Sequence, residues 1–464
     1  MAMISQTFAA ECHPGLRPKS IPTRKAQGSA LLRMTFFLLI LTSTYDKSGA
    51  TLQTGSRDIS LPIYKLFFVP LLVFYFLDVS VRRLEGKAEL DRPLFRFIAA
   101  MIGIQTVASF CGLIFAPGDI SFPSEIYVIL QRLQYLFVAL FAVQFNVPPR
   151  AVLKVFLVAI SLHYVAVLLQ FVSPATYFWA LSFVSDPLRI DNSIGWDGST
   201  WAFLGLQRTS NYGVFACVFG LLALAFVSGR TSIRILMTAL VSACSFIVIF
   251  GYSRAVLILF MVALLVFASR RRLLRFANLP VMLALLTLMG GFYAAGLLLP
   301  ERFLSIYAFI DLEKEGSTQG KLRIMEYGIE LFQQSPIVGW GQRRFADISA
   351  SMGNEHLSTS ETHSYALGTV LSSGLVGLIA YVALCFKIVK ALWPRREMDY
   401  AIVCGMFVGL GVYNIIYDAG ALDVFACFNG IAAYYALCSR QPIKPAIDRT
   451  NQQLSRPSVV PAHG

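Results

Sequence analysis

The sequence predicts an all-α polytopic integral membrane protein with about 12 transmembrane helices and both termini in the cytoplasm. Three observations predict it. Of 464 residues, 56% are hydrophobic and only 14% are Asp, Glu, Lys or Arg, with a mean hydropathy of +0.64; soluble domains carry roughly 25% charged residues. Apolar runs recur from end to end at roughly the 20-residue length that a helix needs to cross a bilayer. Lysine and arginine fall on alternate connections, as the positive-inside rule requires. A soluble enzyme, a nucleic-acid-binding protein and a disordered chain are excluded by the same balance. The runs are continuously apolar, so a membrane β-barrel, whose strands alternate, is excluded as well. The net charge of +13 follows from basic cytoplasmic loops and needs no polyanionic partner.

Residues 1–30 form a polar cytoplasmic tail with Arg17, Lys19, Arg24 and Lys25. A long basic tail before a first span reads as a signal anchor in preference to a cleaved leader. Met34 offers an alternative start. The predicted spans are 30–45, 61–81, 94–116, 126–146, 151–172, 209–228, 232–250, 253–269, 277–299, 363–390, 400–417 and 420–438. The domain map is therefore a tail at 1–30, helices 1–9 over 31–300, an outer loop at 301–362, helices 10–12 over 363–438, and a cytoplasmic tail at 439–464. Inner loops hold Arg82, Arg83, Lys87, Arg92 and Arg96, then Arg150 and Lys154, Arg230 and Arg234, the run Arg270-Arg271-Arg272 with Arg275, and Lys387, Lys390, Arg395 and Arg396. Short outer loops hold Lys47, Arg57 and Arg254.

Two outer segments exceed simple connectors, and long ordered loops on one side of a membrane are where chemistry sits. Residues 173–208 carry Trp179, Trp196 and Trp201 with an interfacial segment at Tyr177–Val184. Residues 300–362 carry an amphipathic helix from about Thr318 to Gln334, with Leu322, Met325, Ile329 and Phe332 as its apolar stripe and Arg323, Glu326 and Glu330 on another. Ser335-Pro336 stops it, and Gly339-Trp340-Gly341 reads as a tight turn.

Few outer residues are suited to chemistry. Arg254, in Gly251-Tyr252-Ser253-Arg254, defies the positive-inside bias. It either snorkels to outer headgroups or holds an anion, and a guanidinium fork suits phosphate oxygens. Arg132 lies within the fourth span beside Gln131 and Gln134, where an ion either pairs with a carboxylate or serves a site. Arg208 is a weaker instance of the same kind. Arg323 alone is a solvated charge next to Glu326. His363, in Glu361-Thr362-His363-Ser364-Tyr365, opens the tenth span at the outer interface; it is either a cap residue or a base with a pKa suited to proton abstraction near neutrality. His356 is a rival, and His163 reads as packing. Asp418 and Asp423 read as polar turn residues, and Gly405/Gly409 and Gly374/Gly377 as close-packing positions.

The cysteines show no CxxC pair and no Cys/His spacing for metal. Gly316 to Lys321 is one residue short of a phosphate loop, and Leu322 follows where a magnesium-binding hydroxyl belongs. The first outer loop has Asp46 and Asp58 but no adjacent acidic pair. These absences weigh against a metal-dependent transferase, and the sequence implies no cofactor.

Together, Thr362-His363-Ser364-Tyr365-Ala366-Leu367 with Ser373-Gly374-Leu375-Val376-Gly377-Leu378, Leu322-Arg323 leading to Ser335-Pro336-Ile337-Val338-Gly339-Trp340-Gly341, and Gly251-Tyr252-Ser253-Arg254-Ala255 resemble the O-antigen ligase and polymerase superfamily over about residues 205–435. Ser364 stands where Asn is frequent in that family. The resemblance implies a metal-independent glycosyltransferase of the bacterial inner membrane with its active site on the periplasmic face. Its donor would be an undecaprenyl-pyrophosphate-linked glycan, and its acceptor a glycan or lipid A-core hydroxyl. Carried over by position, His363 would be the base, Arg254 and Arg323 the pyrophosphate ligands, with Arg132 and Arg208 in support. Ligase and polymerase share this chemistry and stay undivided. The alternative is a transporter or flippase of lipid-linked saccharides, disfavoured by the short Gly229–Arg234 link at the chain's centre and by halves without internal symmetry.

Overall fold

The computed structural model describes residues 26–43, 48–54, 57–81, 92–115, 133–134, 136–145, 147–173, 175–176, 179, 254–270, 316–341, 364–416 and 423–438. These form helices α1 (Ala26–Thr42), α2 (Ile63–Val81), α3 (Arg92–Phe115), α4 (Pro149–Val172), α5 (Arg254–Arg270), α6 (Gly316–Gln334), α7 (Tyr365–Leu392), α8 (Met398–Ile416) and α9 (Asp423–Cys438). Residues 136–144 are helical too. The expected spans at 30–45, 61–81, 94–116, 151–172, 253–269, 363–390, 400–417 and 420–438 thus coincide with helices, the span at 126–146 is helical at its described residues 133–134 and 136–144, and those at 209–228, 232–250 and 277–299 lie outside the described residues. Three helices, Pro93–Ile114, Tyr365–Leu392 and Met398–Ile415, are long and apolar enough to cross a membrane. Shorter apolar helices are Ala30–Thr42, Ile63–Tyr75, Ile258–Phe267 and Ala426–Cys438. Helix thus dominates, as expected of an α-helical membrane protein.

One element departs from an all-helical reading. Strands β1 (Ser48–Thr54) and β2 (Arg57–Pro62) pair antiparallel between α1 and α2, with Leu52 opposite Ile59 and Thr54 opposite Arg57. Two residues, Gly55-Ser56, separate them, a spacing and a pair that hairpins favour. A hairpin closes its own backbone hydrogen bonds, and both strands contact α2.

Inside a bilayer, helices gain little from the hydrophobic effect and associate through close packing. At the N-terminal end the packing is aromatic: Phe36 of α1 and Phe68 of α2 meet Phe141, with ring centroids 6.4 and 5.8 Å apart. At the C-terminal end it is glycine-based. A Cβ on Gly405 would lie 2.6 Å from the Ala263 carbonyl oxygen, and one on Gly409 would lie 2.8 Å from that of Leu259. Backbones of α5 and α8 therefore touch along their length, as the Gly405/Gly409 spacing predicts. The outward faces stay apolar, with Val107 and Ile114 of α3 and Ile379, Val382 and Phe386 of α7 exposed, as lipid-facing surfaces require. Where α5 and α7 end, Arg270 Nη2 donates to the Leu392 carbonyl at 3.3 Å and the guanidinium lies 5.0 Å from the Trp393 ring centre. Cys111, Cys385, Cys404, Cys427 and Cys438 are free thiols.

Candidate functional site

One end of the bundle is organised by a break in α7. Gly374 has φ 61° and ψ −164°, a combination that side chains with a Cβ hardly reach. In an unbroken helix the amides of Leu375 and Val376 would donate to the carbonyls of Leu371 and Ser372. Here the segment 335–341 takes both sides of that exchange. Trp340 N donates to the Leu371 carbonyl at 2.7 Å and Gly341 N to that of Ser372 at 3.0 Å. Leu375 N donates to the Pro336 carbonyl at 2.9 Å and Val376 N to that of Ile337 at 3.3 Å. Two intrahelical bonds are replaced by four between segments, so the carbonyls of Leu371 and Ser372 and the amides of Leu375 and Val376 all keep partners. A third helix closes the joint: Ser109 Oγ of α3 donates to the Ser372 carbonyl at 3.1 Å, and a Cβ on Gly112 would lie 2.6 Å from Gly341 N.

The turn itself follows from its sequence. Gly339 and Gly341 have φ of 72° and 81°, and Ser335 Oγ donates to the Gly339 carbonyl at 2.6 Å. Trp340 is buried and its Nε1 donates to the Leu331 carbonyl at 2.9 Å, which satisfies one of the free carbonyls at the end of α6. Gly374 therefore serves a backbone break, and Gly377 lies against Ser373 of its own helix; neither is the helix–helix contact that their spacing suggested.

The amphipathic helix is present as expected, but its buried face is rotated. Ile324 and Leu331 are 5% and 0% exposed, whereas Met325 and Ile329 are 38% and 49% exposed. The docked face is Ile324, Leu331 and Trp340 against Leu371, with Tyr327, Phe332 and Leu367 around them, and Gly328 lets the Leu367 side chain approach. Both sets repeat at helical spacing; of the expected stripe Met325 and Ile329 face outward, while Phe332 packs at the edge of the docked face. Glycine at 328 was the missed signal, since it marks the line of closest approach.

Contacts along the helices bring the arginine-bearing elements to one end. Gly328 faces Leu367 while the turn after α6 meets residues 371–376, so α6 and α7 run in the same direction. The α6 turn with Arg323, about 7 Å further back at 1.5 Å per residue, reaches the level of the start of α7. Arg323 is exposed. Helices α5 and α8 run antiparallel, with Leu259 against Gly409 and Ala263 against Gly405. Extended by the same steps, that pairing sets Arg254, the first residue of α5, level with Asn414. Next to Asn414, the Ile415 carbonyl accepts a 2.8 Å hydrogen bond from Ser364 Oγ. Ser364 is the N-cap of α7 and accepts from Leu367 N at 3.2 Å.

His363, Arg132 and Arg208 lie outside the described residues, as do His356 and Asp418. His163 lies in α4 and Asp423 opens α9. Sequence reasoning passed over Ser364 and Ser109. Ser364 had a signal, a serine directly before an apolar helical run; Ser109, 263 residues from its partner, had none. Among the described residues no group of three His, Cys, Asp or Glu side chains is placed to hold a metal ion.

Residues 238–382 match a family model described as O-antigen ligase. That segment holds Arg254, Arg323 and His363 and all of α5 and α6, and is narrower than the 205–435 expected from the motifs. No curated protein matches the chain.

Proposed function

We propose that this chain, which carries an O-antigen ligase-related domain across residues 238–382, moves a glycan from undecaprenyl pyrophosphate to an acceptor hydroxyl at the periplasmic face of the bacterial inner membrane. The observation that carries the proposal is the convergence at one end of the bundle. The backbone of Arg254 lies level with the end of α8, Ser364 hydrogen-bonds that same end, and α6 brings Arg323 towards the start of α7, where His363 precedes Ser364.

The chemistry suits those groups. A glycosyl pyrophosphate is an activated donor whose leaving group gathers negative charge as the anomeric C–O bond breaks. Guanidinium groups at Arg254 and Arg323 bind the phosphate oxygens and stabilise that charge, the part a divalent cation plays in other transferases. The acceptor hydroxyl gives its proton to the His363 imidazole as its oxygen bonds to the anomeric carbon from the opposite face. Lipid pyrophosphate departs, and the configuration inverts. The break in α7 and the turn at 335–341 support this reading, because they tie α6 to α7 through the backbone and limit the freedom of Arg323's helix.

The test is the glycan on undecaprenyl pyrophosphate in a null strain complemented with His363→Ala or Arg254→Ala, each checked for membrane insertion. Single lipid-linked repeat units are expected to accumulate if the protein is a polymerase, and long lipid-linked chains if it is a ligase. Wild-type lipid-linked glycan with normal surface polysaccharide in either variant removes that residue's role.

A further inference from the structure

We infer that Ser364 is a positioning residue for the transfer: its one hydroxyl pins the start of α7, directly after His363 in the chain, to the end of α8, level with Arg254. The inference rests on the function proposed above. Ser364 is 2% exposed, with extended backbone at φ −141° and ψ 119°. Its Oγ accepts from Leu367 N at 3.2 Å and donates to the Ile415 carbonyl at 2.8 Å, and its own carbonyl accepts from Gly368 N at 2.8 Å.

Each bond answers a need that sequence creates. The first turn of α7 has amides without intrahelical partners, and the last turn of α8 has carbonyls without them. One hydroxyl serves both, as acceptor for the first and donor for the second, and burial keeps water from taking its place. Ser364 therefore sits at a point fixed relative to Ile415. Arg254 lies level with Asn414, one residue away. Ser364 thus sets the separation between the start of α7, next in the chain to the proposed base, and the helix that carries a proposed pyrophosphate ligand. An in-line displacement depends on that separation, since the acceptor oxygen and the departing phosphate lie on opposite sides of one carbon. Donor binding depends on it much less, because the arginines stay in place when the hydroxyl is removed.

Ser364→Ala removes both side-chain bonds. Ser364→Asn restores both, since Asn caps helices about as well as Ser and its amide nitrogen can donate to the Ile415 carbonyl. Tyr434→Phe is the control. It removes another buried hydrogen bond, the 2.5 Å contact from Tyr434 Oη to the Val147 carbonyl, at a place remote from the outer end.

The experiment measures transfer by the full-length protein in nanodiscs, with radiolabelled undecaprenyl-pyrophosphate-linked glycan extracted from the parent strain and that strain's membranes as acceptor. Misplacing a reacting group by an ångström costs up to about 100-fold, so Ser364→Ala is expected to lower kcat about 10- to 100-fold with donor KM unchanged within about twofold. Ser364→Asn is expected to return kcat to within about threefold of wild type, and Tyr434→Phe to leave it there. Wild-type kcat in Ser364→Ala beside an inactive His363→Ala overturns the positioning role and leaves the proposed function standing. Equal losses in Ser364→Ala and Tyr434→Phe reduce Ser364 to a stability residue and also overturn it. Full transfer by His363→Ala removes the function on which the inference rests.

Discussion

Replacing Gly374 with alanine puts a Cβ where the backbone of the 335–341 turn passes, close against the Ile337 carbonyl. The dihedral pair φ 61°, ψ −164° costs a non-glycine residue about 1–3 kcal/mol, and forcing a methyl against a fixed carbonyl costs about 1–3 kcal/mol more. The docked state therefore rises by about 4 kcal/mol, which is a roughly thousandfold increase in the undocked population at 1.4 kcal/mol per tenfold. Amide hydrogen exchange on the detergent-solubilised protein reads this directly, and the amides concerned separate into two pairs. Once the turn leaves, α7 is free to close its own bonds from Leu375 N to the Leu371 carbonyl and from Val376 N to that of Ser372. Those two amides stay protected. Trp340 N and Gly341 N, which now donate at 2.7 and 3.0 Å to the same carbonyls, have no replacement and exchange about a thousand times faster. Wild-type protection at all four amides in Gly374→Ala refutes the backbone exchange. Equal loss at all four means instead that α7 cannot close without its glycine.

Two other outcomes test the packing. Leu331→Ala is expected to destabilise the protein by about 2–5 kcal/mol in thermal unfolding because it empties a buried site beneath Trp340, whereas Ile329→Ala is expected to stay within about 0.5 kcal/mol; the reverse ranking refutes the rotated face of α6. Gly409→Ala places a Cβ 2.8 Å from the Leu259 carbonyl and is expected to push α5 from α8, at a cost of about 1–3 kcal/mol, with transfer lost as Arg254 moves; a wild-type melting temperature with full transfer refutes the close approach.

The spans that coincide with described helices were legible because membrane helices carry their signal in consecutive residues. The end of α6 and the turn after it were legible for the same local reason, since Ser335-Pro336 and the paired glycines act within a few residues. Which face of α6 docks was not. Leu322, Met325, Ile329 and Phe332 and the observed Ile324, Tyr327, Gly328 and Leu331 are both valid helical stripes, and the partner on α7 decides between them. The hairpin at 48–62 was written in Gly55-Ser56 between two short strand-like runs, a signal masked by the hydropathy of the spans on either side. Gly374 stood out as a small residue, yet its φ depends on a turn more than thirty positions upstream. Arg254 stood out by the side of the membrane that the sequence predicts for it, and Arg323 only through the family resemblance; the approach of their helices depends on pairings that no local pattern encodes.

Gly341 is held by the Ser372 carbonyl, and Ser364, eight residues before Ser372, caps the same helix. At 1.5 Å per residue the two levels lie about 12 Å apart along α7. One level is tied to the turn after α6 and the other to the end of α8. Tilting the first two turns of α7 therefore has to break bonds at both levels, so these turns behave as a strut braced at each end and move only together with the elements that brace them.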